Sequence, residues 1–259
     1  VICDDQIEKS EISKSKILPL VSQILNALIL KFNSKESVMS YTVELLEIIS
    51  RTHNVNTYRV QKPKGFEFTP GQATDFSLLI PGWENEKRPF TFTCLPSESY
   101  LEFTIKSYDD HDGVTHHLRT AKKGDKFEIS DAWGAISYNG EGVFIAGGAG
   151  VTPFIAIFRF LKQQNKIGNN KLFFSNKTES DIILHNEFSE ILGNNFINII
   201  TQQPDTKYLK TKIDKEFLKK NITDFSQRFY ICGPDAFNTA VLKNLEDLGA
   251  HPDSLVFEK

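Results

Sequence analysis

The sequence predicts an antiparallel β-barrel followed by a doubly wound α/β domain with a mostly parallel sheet. Three observations carry that reading. From Tyr41 to about Tyr138 the chain is a succession of short runs rich in Val, Ile, Thr and aromatic residues, separated by Pro, Gly, Asn and Asp turns. That is the pattern of antiparallel strands closing into a barrel. After the turn-like Tyr138-Asn139-Gly140-Glu141-Gly142, strand-length apolar runs alternate with helix-length ones, which means βαβ units. The length of 259 residues accommodates two compact domains. The expected division is an N-terminal extension over 1–38, the barrel over 39–139 and the α/β domain over 140–259.

In the first half the strand candidates are TVELLEIIS, NTYRVQKP, ATDFSLLIP, FTFTCL, YLEFTIKSY and KFEIS. In YLEFTIK, Leu101, Phe103 and Ile105 alternate with Glu102, Thr104 and Lys106, the pattern of a half-buried strand. A helical insertion is expected over Val114–Ala121. The second half reads, in order, as strand GVFIAGG, helix Pro153–Gln164, strand KLFFSN, helix HNEFSEIL, strand FINIIT, helix EFLKKN, strand RFYICG, helix DAFNTAVLKNLEDLG and strand SLVFE. There is no internal repeat and no low-complexity tract.

Charged residues at 24% and hydrophobic residues at 40% are those of an ordinary globular protein. A net charge of -3 gives no concentrated basic surface for nucleic acid. Cys3, Cys94 and Cys232 stand far apart, with no CxxC pair and no cluster-ligand spacing. This argues against zinc, iron–sulfur and a disulfide framework, and points to a reducing, cytoplasmic compartment. His116 and His117 are adjacent, not one helical turn apart, so no metal site is assigned.

The chain starts with Val1, and its only methionine is Met39. The run ILPLVSQILNALILKF (Ile17–Phe32) is shorter than the roughly 20 apolar residues of a membrane span and is interrupted by Gln23 and Asn26. Asp4, Asp5, Glu8 and Glu11 ahead of it are unlike the positive start of a signal peptide. Leu20, Ile24, Leu25, Leu28 and Phe32 recur at helical spacing, so a short amphipathic helix is expected. The segment reads either as a genuine extension or as an upstream artefact of a misplaced start, with the second preferred.

Four motifs carry chemistry. GGAGVTPF (Gly147–Phe154) follows the strand VFIA directly. A strand, a glycine-rich turn and a helix bring free N–H groups and the positive end of the helix dipole to one point, suited to a pyrophosphate. Pro153 fits the first helical turn. Read alone, the segment is equally a tight βα turn. It departs from GxGxxG because Pro153 holds the last glycine position, and Ser175-Asn176-Lys177 stands where an acidic ribose ligand is expected. RPFTF (Arg88–Phe92) offers a guanidinium for phosphate oxygens, Pro89, an aromatic face at Phe90 and a hydroxyl at Thr91. Alone it reads as a basic strand start with one core Phe. DGVTHHL (Asp112–Leu118) is either a second anion site or an ordinary capped helix. CGPDAF (Cys232–Phe237) sits at a strand end before a helix, with a buried structural cysteine as the plain reading.

In this order, with PGQ (Pro70–Gln72) ahead of RPFT, the strand bearing Lys106, then GVT, GGAGVTP, CGP and an aromatic near the C-terminus, the chain from Met39 to Lys259 resembles the ferredoxin–NADP reductase family, in the branch of flavodoxin and ferredoxin reductases. The resemblance implies an antiparallel FAD-binding β-barrel followed by a doubly wound parallel-sheet NAD(P)-binding domain. It implies that Arg88 holds the FAD pyrophosphate together with Gly113, Val114 and Thr115. Phe90 lies against the flavin beside Pro89, Thr91 hydrogen-bonds near N5, and Lys106 belongs to the cofactor contacts. Gly148, Gly150, Thr152 and Pro153 shape the dinucleotide site. Cys232, Gly233 and Pro234 sit near the nicotinamide, and Phe257 flanks the flavin ring. Thr91 and Cys232 are the expected catalytic pair. Phe90 stands where the family usually has Tyr, Cys94 where Ser is common, and Ala149 where Thr is frequent.

The function implied is an FAD-dependent NAD(P)H oxidoreductase that passes electrons to a flavodoxin, ferredoxin or other redox carrier protein. The alternatives are a reductase component of an oxygenase or another multi-protein redox system, or a non-catalytic flavin- or nucleotide-binding subunit. A preference for NADPH is expected on Lys177 and the lack of a nearby carboxylate before Glu179. None of the motifs precedes Met39. A chain beginning at Met39 is therefore expected to bind flavin and reduce an artificial acceptor at the full-length rate, and a large loss of folding or activity would show the N-terminal helix to be part of the core.

Overall fold

The computed structural model describes residues 39–108, 112–134 and 136–257. The helix expected at Ile17–Phe32 lies outside the described residues. Ser40–Lys259 forms one compact unit that holds two six-stranded sheets.

The first sheet contains β1 (Ser40–Thr52), β2 (Val55–Gln61), β3 (Ala73–Leu78), β4 (Arg88–Thr91), β5 (Tyr100–Lys106) and β6 (Lys126–Ser130). Its order is β4-β3-β6-β1-β2-β5, with antiparallel pairing throughout. The two edges meet where Phe92 bridges Phe103 and the Thr93 N–H donates to the Glu102 carbonyl at 2.7 Å. The strand expected at FTFTCL is thereby divided. Its ladder with β3 runs over Arg88–Thr91, and the chain from Phe92 crosses to β5 and closes the barrel. Phe76, Phe92, Leu101, Phe103 and Ile129 fill the interior. The expected helical insertion is a one-turn helix, α1 (Val114–His117), continued by a 3-10 turn over Leu118–Thr120. It stoppers the barrel with Val114 and Leu118, and the buried Tyr58 hydroxyl donates to the Leu118 carbonyl at 3.0 Å.

The second sheet contains β7 (Gly142–Gly147), β8 (Lys171–Asn176), β9 (Phe196–Ile200), β10 (Leu209–Lys210), β11 (Arg228–Cys232) and β12 (Leu255–Phe257), all parallel, in the order β10-β9-β8-β7-β11-β12. The two-residue β10 carries no sequence signal of its own. Helices α2 (Thr152–Gln163) and α3 (His185–Leu192) pack with one face of the sheet. Helices α4 (Lys215–Asn221) and α5 (Asp235–Asp247) pack with the other. Strand order reverses between β7 and β11. In an open α/β sheet that reversal leaves a crevice at the carboxyl ends of the two strands, where Gly147–Gly150 and Cys232–Pro234 lie.

Helix α2 lies between the sheets. Val55 of the barrel shares a buried cluster with Phe154, Ile155 and Phe158 of this helix. This placement corrects the expectation for β5. Its polar residues do not face solvent: Glu102 is 1% and Thr104 5% exposed. Arg159 of α2 supplies what burial demands. Its Nη1 donates to Glu102 Oε1 and to the Thr93 carbonyl, both at 2.6 Å, and its Nε and Nη2 hold Glu187 of α3 at 2.5 and 2.9 Å. Glu102 also accepts from Thr93 Oγ1 at 3.0 Å and from Arg59 Nε at 3.0 Å. Burial alone raises the pKa of a carboxyl group. Here the charge of Arg159, with the bonds from Arg159, Arg59 and Thr93, outweighs burial and holds Glu102 below the usual carboxylate range.

The unfolded chain therefore binds the Glu102 proton more readily than the folded one. The stabilisation is complete above the ordinary carboxylate range and is lost as pH falls towards the depressed folded value. Glu102→Gln, which breaks a buried pair, is expected to cost about 3 kcal/mol at neutral pH and progressively less in acid. Urea unfolding of both proteins from neutral to acidic pH checks this, and a deficit independent of pH is the contrary result.

Candidate active site

The site is built where β7 and β11 end. Gly147 leads into a 3-10 turn, Gly148–Val151, and α2 begins at Thr152 with Pro153 in its first turn. Two glycines are required for different reasons. Gly148 has φ +54, the left-handed region, with nothing within 4 Å of an added Cβ. A Cβ on Gly150 would strike the Cys232 carbonyl and lie 2.6 Å from the Gly233 Cα. Gly150 thus lets the turn close directly on the end of β11. The Thr152 hydroxyl donates to the Ala149 carbonyl at 3.0 Å and fixes the turn. Free N–H groups at the start of a twelve-residue helix favour an anion there.

A cavity of about 250 Å³ opens between the two sheets. Pro89, Phe90 and Thr91 of β4 and Lys106 of β5 form its barrel wall, and Thr115 of α1 closes one end. Gly150, Thr152, Pro153 and Cys232 form the opposite wall. Both expected catalytic residues, Thr91 and Cys232, therefore border one space. The Phe90 ring is held edge-on by Phe76 at 5.4 Å. Sequence reading missed Ala73, Thr104, Ile105, Tyr108 and Ala149, which also border this space. The alternation in β5 already placed Thr104 on the face of Lys106; Tyr108 carries no signal that would have found it.

A second cavity of about 270 Å³ shares Lys106, Tyr108 and Ala149 with the first, so the two adjoin. Gly148, Lys177 and Pro234 border it, as do Asn176 and Asp181. Asn176 is 4% exposed, and neither its amide oxygen nor its nitrogen has a hydrogen-bond partner. Asp181 corrects the premise of the NADPH expectation. A carboxylate is present in the pocket, four residues beyond Lys177, brought in by the 3-10 turn Glu179–Asp181. Thr178 fixes it, donating from N and Oγ1 to Oδ2 at 3.0 and 2.7 Å, and Oδ1 lies 3.8 Å from His53 Nε2. Glu179 turns elsewhere and accepts from Thr206 and the Lys207 N–H at 2.8 and 3.0 Å, bonds that hold it below the usual carboxylate range.

Other expected residues lie outside both cavities. Arg88 is exposed, with Nη2 3.2 Å from Glu86 and Nη1 donating to the Lys87 carbonyl at 2.7 Å. Gly113 caps α1 with extended backbone, and the Val114 side chain lies in the barrel core. Gly233 stands at the seam, where a Cβ would come within 2.6 Å of the Phe237 ring. Phe257 is not at the cavity wall. It pairs with Ile231 in the sheet and packs against the cluster of Val143, Phe173 and Val241, because β12 lies on the outer side of β11. Cys94 is buried, accepts the Glu102 N–H at 3.2 Å, and has its thiol pushed up to about 12 by burial. That makes it a packing residue, not a nucleophile. Among the described residues, no group of three or more His, Cys, Asp or Glu is placed to hold a metal ion, and no helix is long and apolar enough to cross a membrane.

Residues 144–243 match the oxidoreductase NAD-binding domain family. The chain is 26% identical over 224 residues to the reductase component of propane 2-monooxygenase from Rhodococcus jostii, covering 76% of this chain and 57% of that one. It is 26% identical over 230 residues to NADH-cytochrome b5 reductase 1 from Coccidioides immitis, covering 79% and 73%. A ferredoxin NADP+ reductase from Neisseria gonorrhoeae, solved with bound FAD and NADP, superposes with a TM-score of 0.73 at 18% identity, covering 85% of this chain and 98% of that one. Residues 144–243 thus match an oxidoreductase NAD-binding domain, and in fold and relatives the chain as a whole resembles the ferredoxin reductase-like FAD/NAD-binding oxidoreductases. It spans little more than half of the monooxygenase reductase component.

The two glycines give a paired prediction. Gly148→Ala is expected to cost about 1–2 kcal/mol of stability through its left-handed backbone and, by placing a methyl at the pocket lining without moving the turn, to weaken nucleotide binding only modestly. Gly150→Ala pushes the turn off Cys232 and is expected to impair both. Thermal melting and titration with oxidised nucleotide check this; equal behaviour of the two variants is the contrary result.

Proposed function

We propose that this chain is an FAD-dependent NAD(P)H oxidoreductase that hands electrons to a redox carrier protein such as a flavodoxin or ferredoxin. One observation carries the reading: Phe90 and Thr91 of the barrel face Gly150 and Cys232 of the α/β layer across a single cavity, which adjoins a second pocket bordered by Asn176, Lys177 and Asp181. The residues fit the two cofactors. FAD would lie along β4, with the ring against Phe90 and Thr91 and the pyrophosphate towards Thr115 and Arg88. Arg88 would exchange its exposed partner Glu86 for phosphate, a small cost for a surface pair. The nicotinamide nucleotide would lie over Gly148–Pro153, with its adenosine half among Asn176, Lys177 and Asp181. Asn176 supports this directly, since a buried amide without partners is expensive unless a ligand satisfies it. The division near residue 139 into an FAD half and a nucleotide half belongs to the same proposal.

When bound, the two cofactors supply hydride transfer from nicotinamide to flavin. The protein contributes position and electrostatics. Thr91 offers a hydroxyl at the barrel wall, Cys232 sets the opposite wall, and the apolar seam between the sheets excludes water. The same half-reaction serves the second reading, a reductase component of an oxygenase system, which the relationship to the monooxygenase reductase component favours. The wide spacing of Cys3, Cys94 and Cys232, with no CxxC pair, supports a cytoplasmic site of action. Purified protein is expected to carry FAD and to bleach anaerobically on addition of reduced nucleotide. A colourless protein, one that releases FMN, or a yellow one that never bleaches would overturn the reading.

NADH is the nucleotide now favoured. A buried-edge carboxylate at Asp181 would bind ribose hydroxyls and repel a 2′-phosphate, while Lys177 would attract it. Asp181→Asn is expected to cut kcat/KM for NADH roughly tenfold or more, the loss of a charge-assisted bond of about 1.5–3 kcal/mol, and to spare or raise the NADPH value. Lys177→Ala should lower only the NADPH value. A wild type that prefers NADPH, with Asp181→Asn neutral for NADH, would sink the assignment.

A further inference from the structure

Among the described residues, a continuous polar path crosses the seam between barrel and α/β layer. It starts at Glu187 of α3, passes through the Arg159 guanidinium to Glu102 of β5, and continues through Thr93 to Thr104. The Thr93 and Thr104 hydroxyls are 3.2 Å apart, and Thr104 also contacts Thr57 at 2.9 Å. Thr104 borders the first cavity. The path therefore ends at the wall opposite Cys232.

Both elements that Arg159 joins carry cavity residues close by in sequence. Glu102 is two residues before Thr104 on the same face of β5, and Thr93 is two residues after Thr91. Arg159 lies two turns along α2 from Thr152 and Pro153. A planar guanidinium grips both carboxylates and a carbonyl at once, with little rotational freedom. Burial disfavours its charge, but the bond to Glu187 and the field of Glu102 more than compensate, so it stays protonated.

We propose that Arg159 is a positioning residue for the redox step: by clamping Glu102 and Thr93 of the barrel to Glu187 of the α/β layer, it sets the separation between the Thr91 wall and the Cys232 wall of the cavity. This rests on the reading of that cavity as the place where the two cofactor rings meet. Arg159, Glu102 and Glu187 border neither cavity. Loss of the clamp should alter the approach of the rings and leave the contacts that bind each of them.

The test uses the full chain. Arg159→Met and Arg159→Lys are loaded with FAD and mixed anaerobically with saturating NADH in a stopped-flow instrument. Lysine keeps the charge but cannot span three acceptors. Both variants are expected to bind FAD and nucleotide close to wild type, to bleach about 10–100-fold more slowly, and to lose long-wavelength charge-transfer absorbance. Glu102→Gln should slow bleaching less, since the Thr93 carbonyl still holds Arg159. Lys162→Met, which removes the exposed Lys162–Glu190 pair between the same two helices, is the control and should bleach at the wild-type rate. A second readout needs no cofactor. In FAD-free protein, amide hydrogen exchange of β5 and α2 should accelerate in the Arg159 variants and not in Lys162→Met. Unchanged bleaching in a flavin-replete Arg159 variant overturns the proposal, as does slowing that merely follows lost flavin. A wild type that never bleaches would defeat the functional reading instead, and the exchange data would then decide alone whether the clamp ties the layers together.

Discussion

The structure turns on a charge that has been taken out of water. Glu102 lies on a strand whose two faces are both covered, and a carboxylate in that position is tolerated only when cationic and hydroxyl partners surround it. Arg59 approaches from the barrel and Arg159 from the α/β layer. Hydrophobic burial would let the two layers slide; a fork of hydrogen bonds does not. The sheets contribute shape and mass, and this ionic contact contributes register between them.

The remaining organisation follows from two topological facts. Closing the barrel through Phe92 and Phe103 leaves Phe90 and Thr91 at the cavity wall beside β5. Reversing strand order between β7 and β11 opens the parallel sheet at its carboxyl edge. With α2 between the layers, the opening and the barrel wall confront each other. Neither half forms the cavity alone, which is why residues as distant in sequence as Thr91 and Cys232 come to share it.

Much of this was legible beforehand because it was local. Period-two alternation located β5, and HNEFSEIL coincides with α3 from His185 to Leu192. The glycine turn after VFIA announced the start of α2. What stayed hidden depends on neighbours. The polar face of β5 looked solvent-facing because nothing in YLEFTIK reveals that another layer covers it. Asp181 was overlooked because a carboxylate was sought directly after β8, whereas a 3-10 turn carries Asp181 back to the pocket. Phe257 packs against the outer side of the sheet, and an aromatic near a chain end gives no sign of which side of its strand the sheet will occupy. Arg159 has no motif at all; a lone arginine within a helix becomes distinctive only once three acceptors converge on it.

The barrel closure has a consequence for modularity. A closed barrel normally owns every bond that closes it. Here the closing seam is short, one bridge at Phe92 and one N–H from Thr93, and the carbonyl of that same Thr93 is bound by an arginine belonging to the other layer. The barrel is thus fastened from outside. Excised, it would keep its apolar core yet lose the stitch at its weakest edge and open the polar face of β5 to water. Transplanted onto a foreign nucleotide-binding partner, it would bury Glu102 short of a counter-charge unless that partner presented an arginine at the same turn of its first helix. The two halves of this chain are therefore separable in architecture and inseparable in chemistry, and recombination between relatives should succeed only where the crossover keeps Glu102 and Arg159 together.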